Sequence, residues 1–137
     1  MNNEKTYIKK DLNQYMQENP GNIKTYTPRS KVIEAYLPDA NHATVKTDGW
    51  EGRMAIIIRL DGYYWFTTDY FGSCSGCDLC LSDPHKWAEK VLSDAYCFET
   101  LEDLKTYIDN TDSTAFTSSY GPLSRKDVKE AAEELES

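Results

Sequence analysis

Two strand-like runs, Arg53–Leu60 and Tyr63–Tyr70, flank the dipeptide Asp61-Gly62, and no other stretch limits the fold so tightly. A two-residue connection between antiparallel strands needs positive φ at both turn positions, which Asp-Gly tolerates. The stretch therefore predicts a hairpin. Pairing about the turn sets Leu60 opposite Tyr63, Ile58 opposite Trp65, Ile56 opposite Thr67 and Met54 opposite Asp69 on one face. The other face pairs Arg59 with Tyr64, Ile57 with Phe66, Ala55 with Thr68 and Arg53 with Tyr70. Both faces are apolar at the centre, so the hairpin is expected to be covered on each side or to lie in the middle of a sheet. The two arginines opposite tyrosines are placed to stack as cation–π pairs, worth about 0.5–1 kcal/mol each when exposed, or to form a solvated rim.

Around this centre the periodicities are mixed. Ile8, Leu12, Tyr15 and Met16 predict an amphipathic helix over 5–18, ended by Pro20-Gly21. The polar segment 22–30, with Pro28, reads as a loop. In 31–37, KVIEAYL, the β-branched Val32-Ile33 pair and the following Pro38-Asp39 favour a strand over a short helix. Ala43–Thr47 predicts a short strand, and His42 a surface-loop histidine. Ser82-Asp83-Pro84 is a helix start, with Trp87, Ala88, Val91, Leu92 and Ala95 on one apolar face. A short strand is expected at 95–98. Thr100-x-x-Asp103 reads as a capping box before the stripe Leu101, Leu104, Tyr107 and Ile108. Residues 109–123 are rich in Ser and Thr and read as a long surface loop. The segment 124–137 predicts an acidic helix whose narrow stripe of Val128, Ala131, Ala132 and Leu135 docks lightly or meets a partner.

The chain has the length of one domain, and its formal net charge of −8 disfavours direct binding to phosphate backbones. A basic protein, including one that handles nucleic acid, is a partner such a surface fits; an acidic balance also serves solubility alone. The first ten residues lack the apolar core of a signal peptide, and no run reaches the ~18 apolar residues of a membrane span. A cytoplasmic location without membrane association is expected, as a monomer or homodimer.

Directly after the second strand comes Cys74-x-x-Cys77-x-x-Cys80. Soft thiolates at two-residue gaps suit zinc, with Cys97 or His85 as a fourth ligand, and the three with a distant Cys97 also resemble the ligand run of a [4Fe-4S] cluster. A second Cys-x-x-Cys pair is lacking, and Phe98 stands where an iron–sulfur site usually has proline. Free thiols in a tight loop, with no cofactor, are the simpler reading. Cysteine catalysis would require a thiol in reach of His85 or His42, with Asp69 or Asp78 orienting the base. The glycines at 72 and 76 lack the lysine and the strand-to-helix context of a phosphate loop.

The string Asp69-Tyr70-Phe71-Gly72-Ser73-Cys74-Ser75-Gly76-Cys77-Asp78, after an aromatic strand and before a helix and Leu101-Glu102-Asp103-Leu104, resembles small proteins encoded by bacteriophages and mobile elements. The resemblance covers about 53–108 and carries no assigned activity; Cys80 and Cys97 lie outside its motif. It implies a protein that binds and blocks a host machine with a basic nucleic-acid groove.

Together these features predict a single α+β domain with an antiparallel sheet of three to five strands built on the 53–70 hairpin. The expected function is a non-enzymatic protein interaction through an acidic, tyrosine-bearing surface, with Tyr64, Tyr70, Asp69, Asp78, Glu130, Glu133 and Glu134 as candidate contacts. The alternatives are a metal module using Cys74, Cys77, Cys80 and Cys97 or His85, and a cysteine-dependent enzyme.

Overall fold

The computed structural model describes residues 12–16, 23–49, 52–72, 78–119 and 121–136. The fold is α+β. Its hairpin forms as the sequence predicts: strands β2 (Gly52–Leu60) and β3 (Tyr63–Phe71) pair antiparallel with Leu60 opposite Tyr63 and Arg53 opposite Tyr70. Asp61 has φ 59° and Gly62 φ 82°, the double positive φ that the two-residue turn requires. β1 (Asn41–Lys46) flanks β2 and β4 (Tyr96–Phe98) flanks β3, giving the order β1-β2-β3-β4 with the hairpin in the middle.

Both expectations about the hairpin's surroundings hold, because helices cover each face of the sheet. On one face Ile56, Ile58, Leu60 and Trp65 bury against Leu12 and Met16 of the segment holding α1 (Asn13–Met16), against α2 (Arg29–Tyr36), and against Trp87, Ala88 and Leu92. Trp87 ends α4 (Pro84–Trp87), and Ala88 and Leu92 belong to the π-helical turn Ala88–Leu92 that continues it; the preceding α3 (Leu79–Ser82) contributes Cys80 to the same core. On the other face Ala55, Ile57, Tyr64 and Phe66 meet α5 (Leu101–Asn110), α6 (Thr114–Thr117) and α7 (Arg125–Glu136). The helix starts at Asp83-Pro84 and Thr100 are capped as expected, Asp83 accepting from the Lys86 N–H at 3.1 Å and Thr100 from the Asp103 N–H at 3.1 Å.

Three expectations are corrected. Residues 31–37 are helical, not a strand, and the helix begins at Arg29 inside the segment read as loop. Val32, Ile33, Tyr36 and Leu37 are buried while Lys31 and Glu34 are exposed, and that spacing is the 3.6-residue period of a helix, which outweighs the β-branched pair. His42 lies on β1, opposite Ile58, rather than in a loop. Residues 109–123 are not a surface loop: Ala115, Phe116 and Leu123 are buried, and Phe116 stacks on Phe66 at 6.1 Å. The apolar residues there are too few to show a period. The structure also decides how α7 sits. Val128 and Ala132 are fully buried, and Arg59 reaches the Leu135 carbonyl at 3.5 Å, so the helix is docked. Only part of the helix expected at 5–18 falls within the described residues; Ile8 lies outside them.

If 109–123 is core, truncating a large apolar side chain there must be costly. Phe116→Ala is expected to destabilise the protein by about 3 kcal/mol in urea denaturation. A surface loop residue would move the midpoint by a fraction of that.

Candidate functional site

The guanidinium of Arg29, at the first turn of α2, is the centre of a dense polar cluster. Its Nε donates to Asp69 Oδ2 at 3.0 Å, Nη1 to Asp78 Oδ2 at 3.0 Å, and Nη2 to Asp78 Oδ1 at 2.9 Å and the Tyr70 carbonyl at 2.8 Å. It lies over the Trp87 ring, 5.6 Å from the centroid, and the Trp87 indole donates to the same Asp69 oxygen at 2.7 Å. A planar five-donor fork can pair one carboxylate through two parallel bonds and still serve a second carboxylate and a carbonyl. Asp78 in turn accepts from the Gly72, Cys80 and Leu81 N–H groups. One carboxylate thus binds the end of β3, caps α3 and pairs with α2.

Burial disfavours the charged form of Asp78, but the Arg29 hydrogen bonds, the Gly72 N–H, the Arg29 charge and the Leu81 N–H outweigh it and hold the carboxyl below its ordinary value. Burial likewise works against the Arg29 cation, and its bonds and charge pairing with Asp78 and Asp69 carry its value up instead. Asp69 and Asp78 are therefore engaged internally. Neither is a free surface acid for a partner, as the sequence suggested.

Of the expected metal ligands, Cys74 and Cys77 lie outside the described residues. Cys80 is fully buried on α3, with its Sγ 3.8 Å from the Thr27 carbonyl. Burial pushes its thiol up to about 11, the nearby Arg29 charge lowering and Asp78 and Asp69 raising it, so it is a poor thiolate near neutral pH. Cys97 is fully buried on β4, paired in register with Trp65. His85 is half-buried and shares a hydrogen bond between its Nδ1 and the Tyr36 hydroxyl. Among the described residues, no three His, Cys, Asp or Glu side chains are grouped so as to hold a metal ion.

The expected contact residues divide. Tyr64 is buried, its hydroxyl accepting from Arg59 at 2.7 Å, because its face of the sheet is covered by α5 to α7. Tyr70 is 63% exposed, and Glu130, Glu133 and Glu134 are exposed on α7. Glu133 pairs with Lys105 of α5 at 3.1 Å, and Lys129 of α7 with Asp109 at 2.7 Å, tying the two helices together.

A concavity lies at the far end of the sheet from the Asp61-Gly62 turn. This cleft of about 900 Å³ is walled by Val45, Lys46 and Asp48, by Arg53, by Tyr70 and Phe71, and by the 121–124 segment with Asp127 of α7. Gly52 makes the strand entry possible there: a Cβ at that position would sit 2.1 Å from Thr47 Oγ1, which accepts from the Arg53 N–H at 3.0 Å. Both Arg–Tyr stacks anticipated from the register are present, Arg53 over Tyr70 at 4.8 Å and Arg59 over Tyr64 at 4.9 Å. Sequence reasoning gave Arg29 and the cleft no role. Arg29 lies 40 and 49 residues from the two aspartates it joins, and no local pattern pointed to it. Comparison of the chain with protein-family models, curated proteins and solved structures finds no match.

The depressed Asp78 carboxyl fixes the sign of an acid response. The folded state binds that proton less readily than the unfolded chain, so its stabilisation is complete above the ordinary carboxylate value near about 4 and is lost as pH falls through the folded value. Asp78→Asn is expected to cost about 3 kcal/mol at neutral pH, and to flatten the decline of the urea midpoint below about pH 4; parallel declines for variant and parent would exclude Asp78 as its source. The buried thiols give a second outcome. Native protein treated with iodoacetamide near neutral pH should leave Cys80 and Cys97 unmodified in peptide maps, with both alkylated once urea unfolds the chain; rapid native labelling of Cys80 would contradict its burial.

Proposed function

We propose that this protein is a non-enzymatic interaction protein that offers an acidic surface to a basic protein partner. The observation that carries this reading is the exposed row Glu130, Glu133 and Glu134 on a helix whose opposite face is fully buried at Val128 and Ala132. A docked helix presents its charges in a fixed pattern, which lowers the ordering cost of binding. The net charge of −8 adds long-range attraction for a basic surface and repulsion of nucleic acid itself. Tyr70 and Tyr26, 63% and 64% exposed, supply rigid aromatic contact area elsewhere on the surface. In this reading the partner is a nucleic-acid-handling protein whose basic groove the acidic face occupies, as the resemblance to phage-encoded proteins implies. No helix among the described residues is long and apolar enough to cross a membrane.

Affinity capture from bacterial lysate at low salt, followed by titration with the purified partner, tests the proposal. The expected partner is basic, its complex weakens as salt is raised, and nucleic acid competes for it. Reversing Glu130, Glu133 and Glu134 together to lysine should weaken binding by roughly ten-fold or more, with an unchanged circular dichroism spectrum. Salt-insensitive binding, or full binding by the reversed variant, rules the acidic face out.

A further inference from the structure

The cleft at the end of the sheet contains an arginine whose donors are unused. Among the described arginines, Arg29, Arg59 and Arg125 each donate from the guanidinium to an acceptor. The Arg53 guanidinium alone has no acceptor among the described residues, although its backbone N–H is bonded to Thr47. It is half-buried, and stacking on Tyr70 at 4.8 Å holds it at the cleft wall. Lys46, over the Phe71 ring at 5.3 Å, brings a second positive charge to the same cleft, and it too forms no ion pair among the described residues.

We infer that this cleft binds the carboxyl-terminal end of an apolar peptide chain, with the carboxylate on Arg53. A guanidinium fork matches a carboxylate in a two-bond geometry, and the aromatic ring beneath it limits the orientations it must lose on binding. Asp48 and Asp127 line the same cleft, so a polyanion is disfavoured; a ligand with one negative group and N–H donors is not. Peptide amides supply those donors. Phe71 and Leu123 offer apolar wall for side chains, and about 900 Å³ lies within the size range of ligand clefts and far above the needs of a bare anion. The inference is independent of the acidic-face proposal, which concerns α7 residues outside this cleft.

The probe is an N-acetylated tripeptide of apolar residues with a free carboxyl group, titrated into the intact protein and followed by amide chemical shifts. Binding with a dissociation constant of about 1 mM or tighter is expected, with shifts centred on Arg53, Tyr70 and Leu123. The carboxamide form of the same peptide should bind at least roughly ten-fold more weakly, and Arg53→Gln should lose a similar factor while retaining its circular dichroism spectrum. Equal binding of acid and amide, an unaffected R53Q variant, or no shifts at roughly ten times that concentration would each overturn the inference. Inorganic phosphate binding as tightly as the peptide would overturn it as well, because the apolar wall would then contribute nothing. A tripeptide with a free amino group that binds at least about ten-fold more tightly than the acetylated one would replace the chain end with a small zwitterion as ligand.

Discussion

Burial on both faces of the β2–β3 pair is the constraint from which the other layers follow. Ile56, Ile57 and Ile58 are consecutive, so their side chains alternate between faces, and all three have 1% exposure or less. A strand of that kind cannot rest on solvent at either side. The chain covers one face with helices drawn from before β1 and between β3 and β4, and the other with helices that all follow β4. The sheet is thus the shared wall of two cores, and each core has its own supply of apolar residues. Leu12, Ile33 and Trp87 serve one, and Leu104, Phe116 and Val128 the other.

The Arg29 cluster has a different kind of importance. Around it meet α2, the end of β3, the start of α3 and the Trp87 indole, four pieces that hydrophobic contact alone leaves free to slide. A buried ion pair contributes little net energy against an apolar replacement, yet removing one partner leaves the other stranded. Its value lies in geometry. The Asp78 carboxylate fixes Gly72 and Cys80 relative to each other, and so sets the distance that the intervening chain must span.

What the sequence disclosed followed from local rules. The hairpin and its register were legible because Asp61-Gly62 admits one turn geometry and the flanking pattern repeats every two residues. The caps at Asp83 and Thr100 were legible because the bonds close within three residues. What depended on distant partners was hidden. Arg29 lies 40 and 49 residues from its two aspartates, so nothing local marked it as more than a loop cation. The α2 segment misled because strand propensity and helical periodicity competed over only seven residues, and tertiary burial of Val32 and Ile33 chose the period. For the candidate cleft, the Arg53–Tyr70 stack could be anticipated from strand pairing, but its opposite wall at Leu123 comes from a segment whose composition resembles loop.

The order in which the two cores close bears on how the protein survives its own synthesis. β2 and β3 are complete at Phe71, whereas the residues that seal the second face run from Leu104 to Ala132. A nascent chain carrying a finished hairpin therefore displays Ala55, Ile57, Tyr64 and Phe66 as an uncovered apolar strip while some sixty further residues are added. Such a strip is an adhesive surface for other chains and for chaperones. Arg53 and Arg59, bracketing Ala55 and Ile57 on that face, place a positive charge at each end of it, the arrangement that discourages sheets from associating before their cover arrives.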